Sequence, residues 1–252
     1  MRHPSFHIHS YRQFNLTQWP RWPIPVPYWR LYYHNRGGAC IYFKDKIIQL
    51  LPSKYYLISP NTPFTSELRH PLEHFCVYFS VTGIFKDLEL GIYEFPMEAR
   101  MQSKLVSIKS FRESNSIKTK LQLLAILHEA ILNVPDFSEN PPDDHDNPSI
   151  FSVLELVENE KALDMSNLAL AKIAGMHVDA FVRKFTKTIG QSPQMLIRKE
   201  KIRRACILLH FTRDPIEEIA RQLHFCDRYH FSRVFKKERG VSPAKFRASL
   251  DG

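Results

Sequence analysis

An arginine set between two phenylalanines, with a lysine four positions further on, occurs twice in this chain. FVRKFTKTIGQSP from Phe181 overlies FSRVFKKERGVSP from Phe231, with seven of thirteen positions identical. The shared pairs are Phe181/Phe231, Arg183/Arg233, Phe185/Phe235, Lys187/Lys237, Gly190/Gly240, Ser192/Ser242 and Pro193/Pro243. At roughly 100° per helical residue, Phe181, Phe185 and Ile189 fall on one arc, while Asp179, Arg183 and Lys187 project from the other side. In the second copy Phe231 and Phe235 form the apolar arc, and Tyr229, Arg233, Lys236 and Lys237 point away. A guanidinium on such a face can donate two hydrogen bonds to the O6 and N7 edge of guanine, worth roughly 1 to 3 kcal/mol of base discrimination. An ammonium there neutralises phosphate without reading sequence. The repeat therefore points to two copies of a nucleic-acid reader, with Arg183 and Arg233 reading bases and Lys187 and Lys237 holding the backbone.

Each reader needs a partner helix to hold it. Ahead of the first copy, Ser166 is placed to cap LALAKIA, which ends at Gly175, a residue free to take the positive φ of a tight helix-turn-helix corner. Ahead of the second, Asp214 is the expected N-cap, with Pro215 at the first helical position and Glu217 at the third. Ala171 and Ala220 occupy matching positions, small enough for a close crossing. Between the copies, Gln194 to Phe211 reads as one helix with Leu196, Ile202, Ala205, Cys206 and Leu209 for burial. Such a helix spans on the order of 25 Å, a rigid spacer for two readers entering major grooves about one DNA turn, roughly 34 Å, apart.

Charge divides the same way. The 252 residues carry a net charge of +9. Residues 1–149 hold 16 basic against 14 acidic side chains, and residues 150–252 hold 19 against 12. The attraction to a polyanion thus belongs to the C-terminal part. Between the two, residues 134–149 read VPDFSENPPDDHDNPS, four prolines and five acidic residues without a Lys or Arg, the composition of a linker. The expected organisation is a sensing and dimerising domain over 1–133, this linker, and a DNA-binding domain over 150–252. No apolar run approaches the ~20 residues of a membrane span. The N-terminal MRHPSFHIHSYRQF lacks the unbroken apolar stretch of a secretory signal, so a cytoplasmic location is expected. Cys40, Cys76, Cys206 and Cys226 stand far apart, which predicts reduced thiols and neither a disulfide framework nor a zinc site.

The N-terminal part reads as short strands: YWRLYYH from Tyr28, ACIYFK from Ala39, KIIQLL from Lys46, YYLISP from Tyr55 and HFCVYFSV from His74, broken by turn signals such as Asn35-Arg36-Gly37-Gly38 and Pro52-Ser53. Their spacing predicts a small barrel or sandwich. Helical patterns follow at about 96–111 and 117–133. In the second, Leu121, Leu124, Ala125, His128 and Leu132 share a face for packing on the barrel or on a second subunit. The aromatic group Trp19, Trp22, Tyr28, Trp29, Tyr32 and Tyr33 serves either as core or as a wall for an amphipathic ligand, with Trp29, Arg30, Tyr32 and His34 as the candidate ligand contacts. His7 and His9 lie in an expected N-terminal arm and, with His34, His70 and His74, make no recognisable metal set; no cofactor and no metal are expected. No G-x-S-x-G nucleophile motif appears, and catalysis is not expected.

KIRRACILL from Lys201 and IEEIARQLHFCDRYHFSRVFKKERGVSPAKFR from Ile216 resemble the AraC/XylS family of bacterial transcription regulators, over roughly Ser149 to Ser249. The resemblance implies a double helix-turn-helix, with recognition helices at about His177 to Thr188 and Asp227 to Glu238. The base-facing candidates it implies are Asp179, Ala180, Val182 and Arg183, then Arg228, Tyr229, Ser232 and Arg233. His224 replaces the glycine usual in the second turn and Cys226 the usual Ser after it, which predicts a less regular turn. LLPSKYYLISPNTPF is similar to part of the family's cupin-like sensing arm, with Ser53 and Phe64 standing where Gly and His are usual. The expected fold is thus α+β in two domains: a cupin-like β-barrel with following helices, then an all-α double helix-turn-helix. The implied function is sequence-specific regulation of transcription, as an effector-responsive activator, on double-stranded DNA. Implied partners are RNA polymerase, a small effector such as a sugar, and a second copy of the chain. The rivals are a cupin-type metal enzyme tethered to DNA, a DNA-repair methyl acceptor, which the scattered cysteines oppose, and an architectural binder without sequence preference.

Overall fold

The computed structural model describes residues 5–19, 24–82, 89–109, 116–135 and 147–250. The chain divides into two compact units, Arg2–Glu139 and Asn140–Asp251. Most of the proline-rich acidic segment lies outside the described residues. At its ends, Val134 is buried in the N-terminal core and Pro148 opens a helix.

The N-terminal unit holds eight strands in two antiparallel sheets. They are β1 (Ser5–Leu16), β2 (Trp29–His34), β3 (Ala39–Phe43), β4 (Lys46–Leu50), β5 (Lys54–Ile58), β6 (Thr65–Leu68), β7 (Leu72–Thr82) and β8 (Ile92–Pro96). Five strands run in the order β1-β7-β2-β5-β8 and three in the order β4-β3-β6. The expected barrel is not closed: each sheet ends in its own edge strands rather than pairing with the other. The expected N-terminal arm is instead a twelve-residue edge strand, β1, which runs antiparallel to β7 from Ser5 opposite Thr82 to Leu16 opposite Leu72. In the predicted Asn35–Gly38 turn, Gly38 sits at φ 118, and a Cβ there would fall 2.2 Å from the His70 ring.

Two helices, α1 (Ala99–Lys109) and α2 (Ile117–Leu132), complete this unit. The central sheet is covered on both faces, which is why β2 is buried at every position. On one face Trp29, Leu31, Tyr33, Leu57, Phe75 and Phe79 pack with Leu105, Leu123, Ile126 and Leu127 of the helices. On the other, Tyr32, Tyr56, Ile58 and Cys76 meet Ile41, Ile48 and Leu50 of the small sheet. Of the two packings open to the stripe on α2, the one on the sheet is not made. Leu123, Ile126, Leu127, Ala130 and Ile131 pack inward, whereas Ile117, Leu121 and Leu132 are 77%, 61% and 71% exposed.

The C-terminal unit is all helix: α3 (Pro148–Glu158), α4 (Asn167–Ile173), α5 (Val178–Ile189), α6 (Pro193–Phe211), α7 (Ile216–Gln222), α8 (Arg228–Arg239) and α9 (Pro243–Ala248). The tail of the repeat is punctuation. Gly190 and Gly240 end α5 and α8 in the left-handed conformation, at φ 82 and 77. Two residues later Ser192 and Ser242 cap the next helices, and Pro193 and Pro243 fill the first helical position. One helix thus stops and another starts within three residues, which fixes the corner after each recognition helix.

Candidate nucleic-acid interface

The two motifs share one hydrogen-bonding scheme at the corner. In the first, Met176 N donates to Ala171 O (2.9 Å) and Gly175 N to Lys172 O (3.1 Å). In the second, Phe225 N donates to Ala220 O (3.0 Å) and His224 N to Arg221 O (3.0 Å). The buried Ala171 and Ala220 permit these close crossings. Gly175 has φ 65 and His224 φ 54, so the left-handed corner residue is kept in the second turn although it is not glycine. A non-glycine residue in this region costs roughly 1 to 2 kcal/mol, and neighbours hold it there. Lys201 Nζ donates to His224 O at 2.9 Å and lies 5.1 Å over the Phe225 ring, which in turn packs 5.1 Å from Phe231. The second turn is one residue longer, with Cys226 as the addition before the cap.

The starts of the helices differ from expectation in one place. Ser166 caps α4 as its position predicts, accepting from Ala169 N at 3.2 Å. Asp214, the expected cap of the second motif, lies one residue too early: Pro215 is the N-cap and α7 begins at Ile216. Its backbone is taken into the loop instead, where Asp214 N donates to Thr212 Oγ1 (3.3 Å) and Arg247 Nη2 donates to Asp214 O (2.7 Å). Asp227 caps α8, its carboxylate accepting from His230 N at 2.7 Å. That bond, followed by the Cys226 thiol, holds the Asp227 carboxyl below its ordinary range.

The recognition faces emerge as the periodicity requires. Phe181, Phe185, Phe231 and Phe235 are fully buried. Asp179, Arg183 and Lys187 on α5, and Arg228, Tyr229, Arg233, Lys236 and Lys237 on α8, are exposed. Ala180, Val182 and Ser232 are half-buried, and Val182 also packs against the core of its own motif. The structure adds a distinction that residue types alone do not carry. Arg203 and Arg204 are tied to Glu160 at 2.9 and 3.2 Å, Arg203 also to Glu200, and Arg221 to Glu218 at 2.7 Å. Arg247 donates to the carbonyls of Leu209 and Asp214. These arginines are struts. Arg183, Lys187, Arg228, Arg233, Lys236 and Lys237 form no ion pair with any described residue. Asn167, at the start of α4, was missed from the sequence; it lines an open groove with Val178, Asp179, Val182, Arg183, Thr186 and Lys187.

The four ligand candidates of the N-terminal unit separate. Strand alternation sends Trp29 toward the helices, 6.2 Å from the Phe79 ring, and sends Arg30, Tyr32 and His34 into the interior between the sheets. There His34 Nε2 lies 2.9 Å from His74 Nδ1, a pairing the sequence gave no reason to expect. Burial pushes the His34 imidazole down to about 4, and burial followed by the proximity of His34 lowers His74 well below its usual value. Trp19 covers the group, 5.9, 5.8 and 5.6 Å from the rings of Tyr32, His34 and His74. Trp22 lies outside the described residues. Among the described residues no three His, Cys, Asp or Glu side chains are grouped to hold a metal ion.

The C-terminal unit is therefore a double helix-turn-helix of the DNA-binding type. A helix-turn-helix domain family matches residues 170–249. The arabinose operon regulatory protein of Escherichia coli K12 is 37% identical over 90 residues, 34% of this chain and 30% of that protein. The regulator MtrA of Neisseria gonorrhoeae is 28% identical over 98 residues, 39% of this chain and 31% of that protein. The chain spans about a third or less of the length of the curated relatives it matches. Over the whole fold it is similar to ToxT from Vibrio cholerae, with a TM-score of 0.55 at 15% identity, covering 98% of this chain and all of that one. A second ToxT structure, with an unsaturated fatty acid bound, gives a TM-score of 0.52 at 16% identity, covering 99% of this chain and 98% of that one. Residues 170–249 thus form a helix-turn-helix domain similar to that of the arabinose operon regulatory protein, and an N-terminal domain lies ahead of it. The likeness to ToxT lies in the two-domain fold; a cupin relationship is not established by it.

Proposed function

We propose that the protein is a sequence-specific, effector-responsive regulator of transcription that reads double-stranded DNA through α5 and α8. The observation that carries this reading is the pair of unengaged arginines, Arg183 and Arg233, each on a helix whose opposite face is anchored by two buried phenylalanines. Base reading falls to Asp179, Ala180, Val182 and Arg183 in one groove and to Arg228, Tyr229, Ser232 and Arg233 in the next. Lys187, Lys236 and Lys237 neutralise phosphate, and release of counterions supplies much of the affinity. The neighbour solved with an unsaturated fatty acid supports the effector part of the reading. The effector acts by favouring one arrangement of a dimer over another. RNA polymerase is the partner in activation, the site of action is the cytoplasm, and no catalytic step is assigned to the chain. Among the described residues no helix is long and apolar enough to cross a membrane.

The exposed face of α2 supports the homodimer: Ile117, Leu121 and Leu132 are apolar and unpacked. A Leu121→Lys variant should sediment as a monomer at concentrations where the parent protein is a dimer. Selection of binders from random duplexes tests the main reading. It should return a bipartite consensus with elements about one helical turn apart; enrichment of no sequence would assign the protein to architectural binding instead.

A further inference from the structure

We propose that the amide nitrogen of Asn167 donates to a DNA phosphate, a contact peculiar to the first motif, and that Gln194 is the positioning residue that turns this nitrogen toward the groove. This rests on the DNA reading above and adds to it two residues that lie outside both recognition helices.

Asn167 is the first residue of α4 and Gln194 the second of α6. Gln194 Nε2 donates to the backbone carbonyl of Met165 at 2.9 Å. A carbonyl only accepts, so the atom that Gln194 places here is its amide nitrogen. The same nitrogen lies 3.2 Å from Asn167 Oδ1. Two amide nitrogens facing each other would set donor against donor, so Asn167 turns its oxygen to Gln194 and its Nδ2 the other way. Among the described residues Asn167 Nδ2 has no hydrogen-bond partner. The second motif has no such bracket. Its matching positions hold Ile216, the first residue of α7, and Ala244, the second of α9, and neither side chain can donate.

Asn167 lines one groove with Asp179, Arg183, Thr186 and Lys187 of the recognition helix. Thr186 Oγ1 already donates to Val182 O at 2.7 Å. The side-chain donors that remain in the groove are therefore Arg183, Lys187 and the Asn167 amide, against a single carboxylate, Asp179. The choice between base and phosphate follows from the orientation of the amide. Reading adenine takes both the oxygen and the nitrogen of an asparagine, one to N6 and one to N7. The Asn167 oxygen is engaged by Gln194, so the side chain presents donors, and phosphate oxygens are acceptors only. The place in the fold agrees, because the first helix of such a motif crosses the DNA backbone while the second enters the groove.

The test uses the full chain on three kinds of duplex: the selected operator, an unrelated sequence, and operators carrying a neutral methylphosphonate at one phosphate at a time. Asn167→Leu, which keeps the size of the side chain, and Asn167→Ala should each weaken operator and unrelated duplex alike, by about tenfold. The salt slope should stay unchanged, because a neutral donor releases no counterion. Gln194→Met should weaken binding by a smaller factor, and the double variant with Asn167→Leu should bind no worse than Asn167→Leu alone, because the glutamine acts only through the asparagine. At one phosphate the methylphosphonate should weaken the parent protein and leave both Asn167 variants unaffected, a coupling that a purely structural bond would not produce. Four results would overturn the proposal: the Asn167 variants bind as the parent does; their loss is confined to particular base pairs; no single phosphate accounts for it; or the Gln194 and Asn167 losses add in full. Thermal unfolding is followed beside binding, and a lowered unfolding temperature in both Asn167 variants would make the bracket a strut between α4 and α6 and overturn the proposal as well. Absence of any selected consensus sinks the sequence-specific reading alone, since the loss on the unrelated duplex still decides on the amide contact.

Discussion

The two helix-turn-helix motifs reach the same corner by different means. In the first, Gly175 takes the left-handed conformation at no steric cost, and α5 starts at Val178 behind an N-cap, His177, that makes no side-chain capping bond. In the second, His224 takes it at a cost, offset by the Lys201 bond to its carbonyl and by the Asp227 cap that opens α8. What the motifs have in common is the hydrogen bonding of the corner, the buried phenylalanine pair and the outward arginine. The geometry of the corner is therefore the constrained quantity, and the residue that achieves it is interchangeable if its neighbours respond.

This comparison is broken most severely at the anchors. Phe185→Ala and Phe235→Ala should each destabilise the C-terminal unit by about 3 to 5 kcal/mol, read by denaturant unfolding. If one motif tolerated the change and the other did not, their mechanical equivalence would be lost. Next come the reading residues. Arg183→Ala and Arg233→Ala should each relax preference at one base position, in different half-sites, by roughly 1 to 3 kcal/mol. Lys187→Ala and Lys237→Ala should instead weaken all duplexes alike and reduce the salt slope by about one unit. Competition binding on single-base operator variants at several salt concentrations separates the two behaviours, and identical effects of Arg and Lys changes would erase the division between base reading and backbone holding.

The C-terminal unit was legible because its information is local and repeated. Helical period, caps and corner glycines all act within a few residues, and a second copy checks the first. Where locality failed, so did the reading. Asp214 has the chemistry of a cap, but Arg247, 33 residues away, draws its carbonyl into the loop and the helix starts later. On α2 the periodicity correctly groups Leu121, Leu124, Ala125, His128 and Leu132 on one face, yet the helix is apolar on two sides and only the sheet decides which side is buried. Strand β1 was hidden because its polar residues, His7, His9, Arg12 and Gln13, resemble a tail until β7 is present to pair with it. The contact between His34 and His74 depends on the register of β2 against β7, which no spacing in the sequence encodes. The strut arginines and the free ones are likewise indistinguishable until Glu160, Glu200 and Glu218 are placed in space.

The finest test exchanges the corner residues themselves. Gly175→Ala should cost about 1 to 2 kcal/mol, and the cost is purely of backbone conformation, since nothing lies within 4 Å of the added Cβ. His224→Gly relieves a similar strain, but glycine also gives the unfolded chain more freedom, worth roughly 0.5 to 1 kcal/mol. The two contributions oppose each other, so the second motif should gain less than about 1 kcal/mol, while operator affinity stays unchanged in both variants. The asymmetry in sign is the informative result. Were His224→Gly to weaken operator binding, the His224 side chain would belong to the interface, and the two corners would differ in function as well as in construction.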